Sequence, residues 1–232
     1  MAVTYQNVRP NYPEAALNWL VPQTAQDVLD LAAGTGQIAA ALAERDLSVV
    51  AVEPDPRMRA QLSDPRVRVL DGTAEDIPLP DQSLDAVVVG QAWHWFRPDQ
   101  AVRELSRVLR PGGQLGLVWN VRDERVDWVA ELGTLMHRGS SQDLGSETPR
   151  VGPPFEPIER ADFRWQCSMS HQAVLELVSS RSYVIKLPAP DRAQLLANVT
   201  RLLESHPALT QQEPVSMPYV TRCTRTRIRY LP

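Results

Sequence analysis

Ten consecutive residues, Val28-Leu29-Asp30-Leu31-Ala32-Ala33-Gly34-Thr35-Gly36-Gln37, constrain the fold of this chain more than any other feature. A short apolar run ends in a turn with two glycines, and the turn opens onto the helix-forming stretch that begins at Gln37. Strand, tight turn and helix in that order are the first half of a βαβ unit. Glycine suits the turn because a Cβ would block close approach of a ligand to the backbone, and because such turns call for unusual dihedrals. The next apolar run, Ser48 to Val52, leads into Glu53, about 20 residues after the loop. A carboxylate at the tip of a second strand can accept both hydroxyls of a ribose, so the pair of features predicts a nucleoside site at the switch point of a doubly wound sheet.

The remaining sequence repeats the same alternation. Strands are predicted over Asp27 to Leu31, Ser48 to Glu53, Val67 to Leu70, Leu84 to Val89 and Gln114 to Trp119. Helices are predicted over Pro13 to Leu20, Gln37 to Arg45, Pro56 to Leu62 and Pro98 to Leu109, the last stopped by Pro111-Gly112-Gly113. After Trp119 the rhythm changes. A helix is expected from Asp123 to Arg138, a surface loop from Gly139 to Pro157, and a strand near Phe163 to Met169. Helices near Gln172 to Ser180 and Asp191 to Leu203 follow, with a closing strand around Val215 to Arg227. The fold class is therefore α/β: a doubly wound, mostly parallel sheet with helices on both faces and an antiparallel last strand. The whole chain, 1–232, is expected to form one domain, with 1–121 as nucleoside-binding core and amino-terminal arm and 122–232 as remaining strands plus a substrate cap.

A length of 232 residues, 43% hydrophobic and 22% charged, is enough to bury one continuous core. The net charge of -4 opposes a phosphate backbone, so nucleic acid is not an expected partner. The two cysteines, Cys167 and Cys223, lack metal-ligand spacing, and no metal site is expected. No apolar run approaches the ~20 residues that span a bilayer, and a cytoplasmic protein is expected, either monomer or homodimer.

Gly34-Thr35-Gly36 followed by Ala39 also satisfies the relaxed G-x-G-x-x-A pattern of dinucleotide-binding proteins, so the glycine turn and Glu53 alone leave an NAD(P)-dependent oxidoreductase open. A non-catalytic nucleoside-binding regulatory protein stays open as well. Four segments in order separate these readings: VLDLAAGTGQ, VVAVEPDPRM, GTAEDIPLPDQSLDAVVVGQAWHWF and LSRVLRPGGQLGLVW. With them the chain resembles the class I S-adenosylmethionine-dependent methyltransferases, in particular the small-molecule branch often called methyltransferase type 11.

The resemblance implies S-adenosylmethionine as cofactor and a small-molecule acceptor; transfer is expected at oxygen, with nitrogen and carbon as the alternatives. It implies that Asp30, Ala32, Gly34 and Gly36 surround the methionine part of the cofactor and that Glu53 holds the ribose. Pro54 and Met58 would pack on the adenine, and Thr73, Ala74 and Glu75 would line its edge. The chain departs from many relatives at Thr73, where an aspartate is common, and at Ile38, which replaces a third glycine. Gln91 falls where relatives bring cofactor and acceptor together.

Other residues carry chemistry of their own. In Gln91-Ala92-Trp93-His94-Trp95-Phe96 the aromatic rings are too many for one core, so Trp93 and Trp95 are expected at an acceptor pocket. His94 is the expected general base, since its ordinary pKa lies close to neutrality. The amino-terminal Tyr5, Arg9 and Tyr12 lie in a stretch similar to an R-P-x-Y-P element of some methyltransferases. Arg9 would pair there with the cofactor carboxylate, and Tyr5 or Tyr12 would cover it. Arg181 and Tyr183 combine a cation and an aromatic in one turn and are expected to select a polar or anionic acceptor.

Overall fold

The computed structural model describes residues 10–137, 149–210 and 212–229. Its elements, in chain order, are α1 (Glu14–Leu20), β1 (Asp27–Leu31), α2 (Gln37–Ala43), β2 (Ser48–Val52), α3 (Pro56–Arg59), β3 (Val67–Leu70) and β4 (Leu84–Gly90). A single 3₁₀ turn (Trp93–Trp95) precedes α4 (Pro98–Val108) and β5 (Leu109–Arg122). Then follow α5 (Asp127–His137), β6 (Glu159–Met169), α6 (His171–Ser179), α7 (Ser182–Ile185), α8 (Ala189–Ser205) and β7 (Val215–Arg227). The seven strands form one sheet in the order β3-β2-β1-β4-β5-β7-β6. The ladders β3-β2, β2-β1, β1-β4 and β4-β5 are parallel. The last strands run against them, giving the mostly parallel, doubly wound sheet that the alternating pattern predicts.

The chain condenses into two compact units. The larger, over 11–120, 149–163 and 221–229, carries the parallel strands. Its strand residues alternate between two apolar clusters, as the period of two demands. Leu29, Leu31, Val87 and Val89 join Ala101, Val102, Leu105 and Val108 of α4 on one face. On the other face Val28, Ala86 and Val88 meet Ala16, Leu17 and Leu20 of α1 and Ile38, Ala39 and Leu42 of α2. Helices on both faces explain why β1 and β4 are buried at nearly every position. The smaller unit, over 121–137, 164–210 and 212–220, packs Trp128, Val129 and Leu132 of α5 against Val174, Leu177 and Val178 of α6 and Val199, Leu202 and Leu203 of α8. No helix among the described residues is long and apolar enough to cross a membrane.

Several boundaries differ from the sequence expectation for physical reasons. β5 starts at Leu109 and not at Gln114, because the Pro111-Gly112-Gly113 stop is absorbed as a bulge. Leu84 pairs with Leu109, and the register then jumps so that Ala86 pairs with Gln114. β6 begins at Glu159, ahead of its apolar part, and its alternating exposure marks an edge strand half open to solvent. The Arg181 turn continues into a helix of its own, α7. The expected loop from Gly139 falls largely outside the described residues.

Candidate functional site

The strand order reverses between β1 and β4, and the residues that follow these two strands are strained. Ala32 has φ of 57° and Gln91 has φ of 53°, conformations that L side chains rarely adopt and that cost roughly 1–3 kcal/mol each. The other non-glycine residues with positive φ, Asp46 and Gln82, lie exposed in surface turns. Ala32 and Gln91 instead sit side by side at the carboxyl edge of the sheet's two central strands, where ligands bind doubly wound sheets. Gly34 (φ 59°) and Gly36 (φ 86°) complete the turn, and Gly36 caps α2 from the left-handed region.

Glu53 follows β2 and is 6% exposed. Its Oε2 accepts the Gly34 N–H at 2.8 Å and its Oε1 accepts the Asp55 N–H at 2.9 Å. The carboxylate therefore braces the glycine turn and still has lone pairs to spare, since two carboxylate oxygens offer about four acceptor positions. Arg59, which the sequence did not single out, fixes the strand tip behind it. Its Nη1 donates to the Glu53 carbonyl at 2.6 Å and to Asp71 Oδ1 at 3.0 Å. Met58 lies beside the turn, its sulfur 4.0 Å from where a Cβ on Gly34 would stand. Pro54 is exposed on the rim.

Asp30 lies one layer deeper, 1% exposed, accepting the Ala39 N–H at 2.9 Å. Burial, helped by the Glu53 charge, pushes its pKa up from 3.8 to about 7 against the lowering effect of the Ala39 bond.

The loop after β3 forms a tight turn in which Thr73 and Asp76 exchange both backbone hydrogen bonds. Ala74 is buried, Thr73 exposed, and Glu75 accepts the Arg97 N–H at 2.8 Å. Glu75 thus ties this loop to the start of α4. Gln91 brings its Nε2 to within 3.5 Å of the Tyr12 hydroxyl, which packs over Gly90. Of the aromatic run, Trp93 is 5% exposed and packs edge-on against Phe96 in the core. Trp95 is 78% exposed, and His94 leans on it with ring centroids 4.8 Å apart. Two rings out of the run thus serve packing and two face outward. Partial burial lowers the His94 pKa from 6.5, so its imidazole is neutral near pH 7.

Comparison with known proteins decides what such a site belongs to. A family model described as a methyltransferase domain matches residues 29–117. An uncharacterized methyltransferase of Mycobacterium tuberculosis is 48% identical over 228 residues, 97% of this chain and 92% of that relative. The chain belongs to the class I S-adenosylmethionine-dependent methyltransferases. A solved structure from Anaeromyxobacter dehalogenans, named for a type II methyltransferase, is 29% identical with a TM-score of 0.74, covering 96% of this chain and 99% of its own. Phosphoethanolamine N-methyltransferase 2 of Haemonchus contortus, in complex with S-adenosyl-L-methionine, shares the fold alone: 15% identity, TM-score 0.54, 99% of this chain and 57% of that one.

Within this methyltransferase the structure brings together Asp30, Ala32, Gly34, Gly36, Glu53 and Met58 around one turn, and Gln91 with Tyr12 beyond β4. Tyr5 and Arg9 lie outside the described residues. Arg181 and Tyr183 belong to the smaller unit, where both act electrostatically on Arg122, a residue the sequence gave no reason to select.

The buried Asp30 makes stability depend on pH. A carboxyl whose folded pKa exceeds its unfolded value holds its proton more tightly when folded, so the contribution of Asp30 to stability falls as pH rises from about 4 to about 7 and is level above. Asp30→Asn keeps an acceptor for the Ala39 N–H and carries no charge. In urea unfolding the variant is expected to lack that downward slope and to exceed the wild type at pH 8 by ~2–4 kcal/mol. Parallel curves for the two proteins from pH 4 to pH 8 would contradict a buried, raised Asp30.

Proposed function

We propose that the chain transfers a methyl group from S-adenosylmethionine to a small-molecule acceptor, at oxygen. The observation that carries the reading is Glu53: a buried carboxylate at the tip of β2, hydrogen-bonded to the glycine turn, on the same sheet edge as the strained Ala32 and Gln91 that follow β1 and β4. The residues fit a nucleoside cofactor. Glu53 would hold the ribose hydroxyls, and Gly34, Gly36, Asp30 and Ala32 would line the amino-acid part. Met58, Pro54 and the Thr73-Ala74-Glu75 turn would flank the adenine, while Arg9 would meet the carboxylate. When bound, the cofactor supplies a methyl group already electrophilic on its sulfonium.

The protein's own work is then alignment and exclusion of water. Gln91, held by its strained backbone and by Tyr12, would border the transferred methyl. Tyr5, Tyr12 and Trp95 would cover the acceptor, as would Arg181 and Tyr183 of the cap, whereas Trp93, expected there from the sequence, packs in the core against Phe96. A hydroxyl acceptor must lose its proton, and His94, neutral near pH 7, is the group to take it. Residues 1–121 are read as the donor-binding part and 122–232 as the acceptor-binding part of one methyltransferase domain.

Transfer of labelled methyl to a panel of phenols, hydroxy acids, amines and carboxylates tests this reading. With the hydroxyl acceptor so identified, His94→Ala is expected to leave S-adenosylhomocysteine affinity within about twofold and lower kcat by ~10²–10⁴-fold. The wild-type rate is expected to rise with pH through a limb below 6.5 that the variant lacks. An unchanged kcat in the variant would remove His94 from the role of base.

A further inference from the structure

The smaller unit holds two arginines, Arg122 and Arg181, whose Nε atoms are buried and whose charges act on one another. Arg122 ends β5 and Arg181 immediately precedes α7. The Nε atoms of both and the Tyr183 hydroxyl are shut off from solvent without a hydrogen-bond partner. Among the described residues no ion pair engages either guanidinium. The groups sense one another: burial first, and the Arg181 charge second, lower the pKa of Arg122 from its ordinary value. Burial raises that of Tyr183, while both arginines pull it back. Tyr219 and Glu124 also act on Arg122, but Glu124 forms no ion pair with it, and its carboxylate lies where a Cβ on Gly133 would stand, with Oε1 2.5 Å away.

Like charges near enough to act on one another, each with a buried donor unused, are unfavourable until an anion completes them. Native proteins leave few buried donors unmet, and those few call for an explanation such as a ligand. The surroundings define that ligand. Tyr183 packs against an apolar cluster, and Trp165 stacks on Tyr219 with centroids 5.3 Å apart. Two guanidiniums and one hydroxyl on an apolar wall suit a singly charged, planar carboxylate attached to an apolar body. A phosphate dianion would match the two guanidiniums in charge but brings no apolar body, so it leaves the apolar wall uncovered.

We propose that Arg122, Arg181 and Tyr183 form an anion site that anchors a carboxylate of the methyl acceptor, which makes the substrate a small carboxylic acid with a separate methylatable hydroxyl. The inference rests on the reading of the chain as a small-molecule methyltransferase. The arginines anchor this carboxylate and draw its negative charge away, so it is the handle and not the nucleophile.

Calorimetry and thermal shift on the full chain, saturated with S-adenosylhomocysteine, test the site with acetate, hexanoate and benzoate, each beside its neutral amide, and with inorganic phosphate. At least one carboxylate is expected to bind tenfold or more tightly than its amide and than phosphate. Arg122→Met and Arg181→Met are each expected to weaken it tenfold or more. Without ligand, Arg122→Met is expected to raise the melting temperature by a few degrees, because it removes a buried donor without a partner and a charge that Arg181 opposes, so weakened binding cannot be put down to misfolding. Carboxylates binding no better than amides, equal binding to the variants, preference for phosphate, or a lower melting temperature in Arg122→Met would each overturn the site. Absence of S-adenosylhomocysteine binding in the wild type would instead overturn the donor reading, and the same carboxylate titrations without it would still judge Arg122 and Arg181.

Discussion

Gly36→Val is expected to weaken S-adenosylhomocysteine binding by at least a hundredfold and to lower the melting temperature by about 5–15 °C. Two effects combine. The residue sits at φ 86°, where a β-branched side chain is an outlier, and the left-handed region alone costs roughly 1–2 kcal/mol for an L-residue. The new Cβ would also clash with Leu62 Cδ2, so the leucine must swing away from the turn. Because Gly36 caps α2, any shift moves the turn that Gly34 shares with Glu53. Gly112→Val supplies the control. It has φ of 78° but nothing within 4 Å of its Cβ, so it should lose stability from strain alone and bind as the wild type does. Wild-type affinity in the Gly36 variant would show that this turn does not hold the ligand.

Glu53→Gln is the second large effect, and it separates charge from shape. The amide keeps the size of the side chain, but one oxygen becomes an NH₂ that meets either the Gly34 or the Asp55 N–H, donor against donor. The variant therefore loses a bond that braces the turn as well as the charged acceptor for a ribose. Hydrogen bonds to a charged group are worth ~1.5–3 kcal/mol each, so a weakening of S-adenosylhomocysteine binding on the order of a hundredfold or more is expected. The fold should persist, because neither partner N–H lies within a strand or helix ladder.

The parallel half of the fold was legible in the sequence because local pattern and tertiary burial agree there. Asp27 to Leu31 and Val67 to Leu70 are recovered to the residue, and β4 runs one residue further than its apolar run suggests. The glycine turn and Glu53 were legible for the same reason: backbone geometry dictates residue type at those positions. β5 was misplaced at its start because proline and two glycines signal a stop, yet a bulge carries the strand through them. The aromatic run at Trp93 to Phe96 announced its oddity but not its division, since which ring turns inward depends on the α4 face it meets. Arg122 stayed hidden because it closes an apolar strand, and nothing in its neighbourhood along the chain points to Arg181. Such pairings are set by topology, which single-sequence patterns do not carry.

We propose that the glycine turn and Glu53 hold S-adenosylmethionine. Calorimetric titration of the wild type and Glu53→Gln with S-adenosylhomocysteine and, in parallel, with NAD tests it most directly. Saturable binding of S-adenosylhomocysteine to the wild type, lost on the order of a hundredfold in Glu53→Gln, with no NAD binding to either, is the predicted result. Binding of NAD without S-adenosylhomocysteine, or equal S-adenosylhomocysteine affinity in both proteins, would contradict it.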